Sequence, residues 1–143
     1  VTEELTYLAM HLRKQDALEL SRSTTRTPKQ TLLDSWDVSE FRKLYRSDDE
    51  TPIAVVGVVP CGRGAGVPWM LATDEVNSMP LTLQRESRRV FRKLKSKYLA
   101  LHNMVDAENS VAIEWLEVLG FKLGQATPFG PFSLPFIPFG WSR

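Results

Sequence analysis

An α/β (α+β) fold of three layers follows from three features of the sequence. Ile53 to Val59 and Val67 to Thr73 are compact apolar runs that flank a glycine-rich connection, which predicts a β-hairpin. A long amphipathic stretch over 81–97 comes next. Strand and helix patterns then alternate through residue 123. The chain has 143 residues, the size of one ordinary domain. It reads as a single domain over 1–143, with 126–143 as a C-terminal extension.

The elements follow in order. Residues 3–21 predict a helix, or a short strand and a helix, because Leu5, Leu8, Ala9 and Leu12 recur at helical spacing before Ala17, Leu18 and Leu20. Arg22 to Pro28 is polar and breaks the pattern. A helix is expected over 29–36, carrying Leu32, Leu33 and Trp36. Asp37 or Ser39 is placed to cap a short helix through Phe41, Leu44 and Tyr45. Ser47 to Glu50 is a turn. After the hairpin, the 81–97 helix has an inner stripe of Leu83, Ser87, Val90, Phe91, Leu94 and Tyr98. Its outer stripe is Arg85, Arg88, Arg89, Arg92 and Lys95. Leu99 to Val105 predicts a strand and Ser110 to Leu119 a helix, with Gly120 at its C-cap and a short strand from Phe121. In the tail, Phe129, Phe132, Phe136 and Phe139 adjoin Pro128, Pro131, Pro135 and Pro138. Proline this dense argues against a helix and against a central strand.

Composition narrows the function classes. Eighteen Lys and Arg against 17 Asp and Glu leave a net charge of +1, too small for a dedicated nucleic-acid binder. The outer face of the basic stripe also lacks interleaved aromatics, so nucleic acid is not the expected partner. One cysteine, Cys61, excludes an internal disulfide and a Cys-based zinc cluster, and with His11 and His102 as the only histidines no metal site is expected. No window approaches the roughly 18 apolar residues of a spanning helix, so membrane insertion is not expected, and no signal peptide is readable at Val1.

Residues 103–121 carry a further signal. Asn109, Ala112, Leu119, Gly120 and Phe121 form a turn, helix and Leu-Gly-Phe exit that resembles the second conserved block of the GNAT acyl-CoA N-acyltransferases. The resemblance implies a mixed central sheet flanked by helices. It also implies a cofactor pyrophosphate held by a glycine turn at a helix N-terminus, a strand splay for the pantetheine arm, and a general base. More narrowly, the chain resembles the small acetyltransferase-like internal virion proteins of T7-like podophages. That likeness rests on Leu12 to Asp16, the Val-Val-Gly-Val-Val strand with its Trp69-Met-Leu hairpin, the Asn109 to Phe121 block, and the Pro/Phe/Gly-rich ending.

Against the family pattern, machinery is missing. Gly62-Arg63-Gly64-Ala65-Gly66 puts Gly66 correctly after Arg63, but Pro68 stands where a second glycine belongs and a strand follows. Asp74 to Pro80, ahead of the long helix, has no glycine and two carboxylates, which oppose a pyrophosphate. Leu116 stands where the family often has a tyrosine that protonates the thiolate. The resulting expectation is a structural or assembly component of a phage particle, on a degenerate fold, with no enzyme activity and no cofactor. Its partners would be other virion proteins or copies of itself, and its place the virion, or the host cytoplasm during assembly. The interface would be Phe129, Phe132, Phe136, Phe139 and Trp141, with Arg85, Arg88, Arg89 and Arg92. The alternative is an active acetyl-CoA-dependent N-acetyltransferase with an atypical loop. It would use Gly64, Gly66 and Asn109 for the cofactor and Glu75 or His102 as base. Asn109 also serves as an N-cap without any ligand.

Overall fold

The computed structural model describes residues 1–143. Seven strands form one sheet, in the order β1-β2-β3-β4-β7-β5, with β6 paired to the far part of β7. The strands are β1 (Phe41–Arg46), β2 (Pro52–Pro60), β3 (Ala65–Ala72), β4 (Ala100–Asp106), β5 (Lys122–Leu123), β6 (Thr127–Phe129) and β7 (Leu134–Ser142). Five helices flank it: α1 (Thr2–Met10), α2 (Lys14–Ser23), α3 (Pro28–Val38), α4 (Pro80–Lys97) and α5 (Ser110–Leu119). Every sheet pair is antiparallel except β3 with β4.

The helices sort to the two faces by their apolar stripes. Leu5 and Leu8 of α1 and Leu32 of α3 pack on Val55 and Leu71. Val90, Phe91 and Leu94 of α4 and Leu116 of α5 pack on Val58, Leu101, Val105 and Phe139 on the opposite face. The three-layer α/β architecture expected from the pattern is therefore present. α3 begins at a capping box, in which Thr27 accepts from the Gln30 N–H and Gln30 reaches back to the Thr27 N–H. α5 ends at Gly120 with φ of 100°, the left-handed conformation that glycine adopts without strain.

Three local expectations are corrected. The first helical stretch is two helices, split at His11–Arg13, where Leu12 bridges to Thr73. Phe41, Leu44 and Tyr45 lie in strand β1, not a helix: Phe41 and Leu44 face Val58 and Val55 across the ladder, and these partners override the local capping signal. The proline-rich tail supplies a central strand. β7 runs between β4 on one side and β5 and β6 on the other. Its prolines fall where the partner strand has ended. The Pro135 carbonyl accepts from Ala107, just past β4, and the Pro138 carbonyl accepts from Gly124, in the gap between β5 and β6. A strand residue turns its N and its C=O to the same side, so neither missing N–H interrupts a ladder.

The tail therefore closes the core. Phe136 is 1% exposed and Phe139 8%, and Trp141 packs against the same cluster, edge-on to Phe91. Phe136 and Phe139 are therefore not available as the interface assigned to them, while Trp141 is half-buried. Phe129 and Phe132 remain exposed on the β6–β7 hairpin. No helix is long and apolar enough to cross a membrane.

Candidate functional site

The site is the seam between β3 and β4. The two strands run parallel and are paired only at Ala65–Ala100 and Gly66–Leu101. Beyond that no ladder pair joins them on the way to Ala72 and Asp106. β3 turns the backbone of Pro68, Met70 and Ala72 toward the gap, since Val67, Trp69 and Leu71 face β2. The Pro68 carbonyl accepts from Asn103 Nδ2 at 2.8 Å, and Asn103 Oδ1 accepts from the Met104 N–H at 2.7 Å, so one carboxamide staples the base of the splay. Met70 lies past the last β3–β4 pair, and its N–H and C=O face the opening.

The mouth is spanned by α2 from the other face. Asp16 Oδ2 accepts from the Ala72 N–H at 2.8 Å, and the Ala72 carbonyl accepts from the Arg13 N–H at 2.9 Å. Glu19 Oε1 accepts from the Asp106 N–H at 3.0 Å and from Asn109 Nδ2 at 3.3 Å. Arg13 pairs with Asp16 at 3.1 Å, and Arg22 pairs with Asp106 and Glu108. Burial pushes the carboxyls of Asp16 and Glu19 above their ordinary range. Arg13 and the Ala72 N–H partly offset the rise for Asp16, and the Asp106 N–H and Asn109 for Glu19.

After β3 the chain makes one turn of 3₁₀ helix over Asp74–Ser78 and enters α4 at Pro80. No side chain caps α4. Pro80 has no N–H, the Leu83 N–H reaches the Met79 carbonyl, and the N–H groups of Leu81 and Thr82 have no partner. An 18-residue helix thus presents a bare, partly positive N-terminus beside the splay. Exposed Asp74 and Glu75 stand next to it.

The residues singled out by sequence divide by position. Glu75 lies at the mouth. Asn109 caps α5, accepting from the Ala112 N–H at 3.2 Å, and also holds Glu19. Gly64 and Gly66 lie in the hairpin turn at the opposite, closed end of the seam, and are no part of a cofactor loop. Their bareness serves packing: a Cβ on Gly66 would come within 2.5 Å of Val58 Cγ1, and one on Gly64 within 2.9 Å of Leu99 Cδ1. His102 points from β4 at the same closed end, 3.5 Å from Cys61 Sγ and away from the mouth. Arg89 of the basic stripe is tied to Glu86, whose carboxyl is held down to about 2 chiefly by that bond, with help from Tyr45 and Lys43. Arg85, Arg88 and Arg92 are exposed. Leu116 is buried in the core. Sequence reading missed Asp16, Glu19 and Asn103, because each serves a backbone group that is distant in the chain. No group of three or more His, Cys, Asp or Glu side chains is placed to hold a metal ion.

No family model matches the chain, and no curated protein is similar to it. Solved structures are. Spermidine N-acetyltransferase from Vibrio cholerae, in complex with CoA and spermine, aligns with a TM-score of 0.72 at 12% identity, over 99% of this chain and 90% of that one. Aminoglycoside acetyltransferase AAC(6')-Ib with coenzyme A aligns with a TM-score of 0.69 at 16% identity, over 100% and 91%. Smu.2055 from Streptococcus mutans aligns with a TM-score of 0.71 at 13% identity, over 99% and 95%. The reading of the chain as a phage structural component, without enzyme activity or cofactor, is overturned. The first two likenesses are to acetyltransferases solved with coenzyme A, and nothing in the fold ties the chain to a particle. The mixed sheet and its flanking helices are those of the GNAT acetyltransferase fold.

Proposed function

We propose that the protein is an acyl-CoA-dependent N-acyltransferase. The observation that carries this reading is the open β3–β4 seam beside a bare helix N-terminus. The unpaired N–H and C=O of Met70 are the groups to which an extended amide-bearing arm bonds, as an added strand would. The Leu81 and Thr82 N–H groups and the dipole of α4 suit a pyrophosphate. The residues present therefore fit acyl-CoA, with its thioester carried into the splay near Asn103 and Met104. The thioester supplies the activated acyl group. The chain contributes orientation, through Met70 and Asn103, and exclusion of water, through α2 across the mouth. Glu19, with its carboxyl raised by burial, is poised to accept a proton from an amine entering at the mouth.

Calorimetric titration with acetyl-CoA tests the reading. Saturable binding is expected in wild type. Met70→Pro should weaken it by about tenfold, by removing one N–H from the ligand's edge. Pro68 already tolerates the same loss two residues away. No heat at millimolar acetyl-CoA with folded protein overturns the reading, and so does equal affinity in Met70→Pro.

A further inference from the structure

The basic stripe of α4 is not absorbed by the acyl-CoA reading. Arg88, Arg92 and Lys95 line a cavity of about 210 Å³ between α4 and α5, together with Phe91, Val118 and Leu119. The three cations are spaced four and three residues apart, so they form one row along the helix. None of them is in an ion pair, although neighbouring Arg89 is bound to Glu86. Lys95 is held in place over the rings of Phe91 at 4.6 Å and Trp141 at 5.7 Å. Arg143 donates to the Lys95 carbonyl at 2.7 Å and brings a further cation alongside. The opposing wall is apolar. Val118 is 51% exposed, and the exposed Glu117 beside it does not line the cavity.

We propose that this groove is a second binding site, for a phosphomonoester whose body offers a flat apolar face, as the base of a nucleoside monophosphate does. Three unneutralised cations exceed what one carboxylate balances. A phosphomonoester brings close to two negative charges and three acceptor oxygens, enough for two guanidinium forks at once. The cations all lie on the α4 wall and the exposed apolar surface on the α5 wall, so the ligand is amphiphilic, with its phosphate toward α4. At 1.5 Å per residue, Arg88 and Arg92 stand roughly 12 to 18 Å along the helix from its bare N-terminus. The groove is therefore separate from the place proposed for the pyrophosphate, and the proposal stands whether or not the chain binds acyl-CoA.

Calorimetry at low salt with adenosine 5′-monophosphate and with inorganic phosphate tests it. The nucleotide should bind saturably and more tightly than phosphate. The double variant Arg88→Gln/Arg92→Gln should lose at least about tenfold in affinity, while Arg85→Gln, outside the groove, should not. Backbone amide shifts on titration should centre on 88–95 and 117–119. Undiminished affinity in the double variant, shifts confined to 74–82, or no binding at millimolar nucleotide would each overturn the site. Equal affinity for phosphate and nucleotide overturns its apolar half.

Discussion

The two ends of the β3–β4 seam join the same two strands by different means. At the lower end the strands meet through backbone. Ala65 and Gly66 pair with Ala100 and Leu101, the Leu99 N–H reaches the Gly64 carbonyl at 2.8 Å, and the glycines let Val58, Tyr98 and Leu99 close over them. At the upper end the backbones part, and side chains take over their hydrogen bonds: Asn103 at the base, Asp16 and Glu19 at the mouth. A ladder bond cannot be exchanged without breaking the sheet. A carboxylate or carboxamide that borrows a strand's N–H can be replaced by a ligand that offers the same acceptor. The difference separates the part of the seam that holds the fold from the part that is available for binding.

The comparison breaks most visibly at Gly66. Gly66→Ala would set a methyl 2.5 Å from Val58 Cγ1 and 3.1 Å from the Tyr98 ring, in the middle of the larger core cluster. Overpacking of this kind should lower unfolding free energy by about 3 kcal/mol, as read from urea denaturation. A loss below about 0.5 kcal/mol would show that the lower end is as adaptable as the mouth.

At the mouth, the sensitive variable is pH. Burial raises the carboxyls of Asp16 and Glu19 above 3.8 and 4.5, their ordinary values, so the folded protein holds these protons more tightly than the unfolded chain does. Their contribution to stability is complete below those values and is lost as pH rises through the raised ones. Glu86 on the outer face has the opposite sign. Its carboxyl is lowered from 4.5 to about 2, so its contribution is present above 4.5 and is lost as pH falls toward 2. Urea midpoints followed upward from about pH 4 should therefore fall less steeply in Asp16→Asn/Glu19→Gln than in wild type. Parallel profiles would mean that the two carboxyls are not desolvated.

Much of this arrangement was legible in the sequence, and the exceptions share a cause. The β2–β3 hairpin, α4, β4 and α5 with its Asn109 cap and Gly120 exit are encoded locally, by periodicity and cap residues within one element. β1 was misread as a helix because its partners, Val55 and Val58, lie beyond a turn. β7 was misread because two prolines in nine residues look fatal to a strand, unless one knows that β4 and the β5–β6 gap end opposite them. The glycines given to the cofactor under the active-enzyme alternative fail for the same reason, although the hairpin they connect is as expected. Gly64 and Gly66 resemble a phosphate turn in the linear order, but the hairpin carries them to the closed end of the seam. Asp16, Glu19 and Asn103 give no local signal, since an isolated carboxylate or amide on a helix or strand usually faces water. Only the parting of two strands creates the stranded N–H and C=O groups they serve.

The smallest predicted effect concerns the loop that made the site hardest to see. Asp74 and Glu75 lie in the 3₁₀ turn where the family resemblance calls for glycines, beside the free N–H groups of Leu81 and Thr82. Thr73 Oγ1 accepts from the Glu75 N–H, at 3.3 Å, so the backbone of the turn is held without help from the Glu75 side chain. That side chain is exposed and makes no hydrogen bond or ion pair. Its effect on a nearby pyrophosphate is then a screened repulsion between exposed charges, worth a few-fold in affinity at most. Glu75→Gln should tighten acetyl-CoA binding about two- to fourfold at low salt, and the gain should vanish by about 0.5 M salt, where the Debye length is only several ångströms. Weaker binding in Glu75→Gln would give that carboxylate a direct role at the mouth. A gain that persisted in high salt would mean that the turn itself had moved.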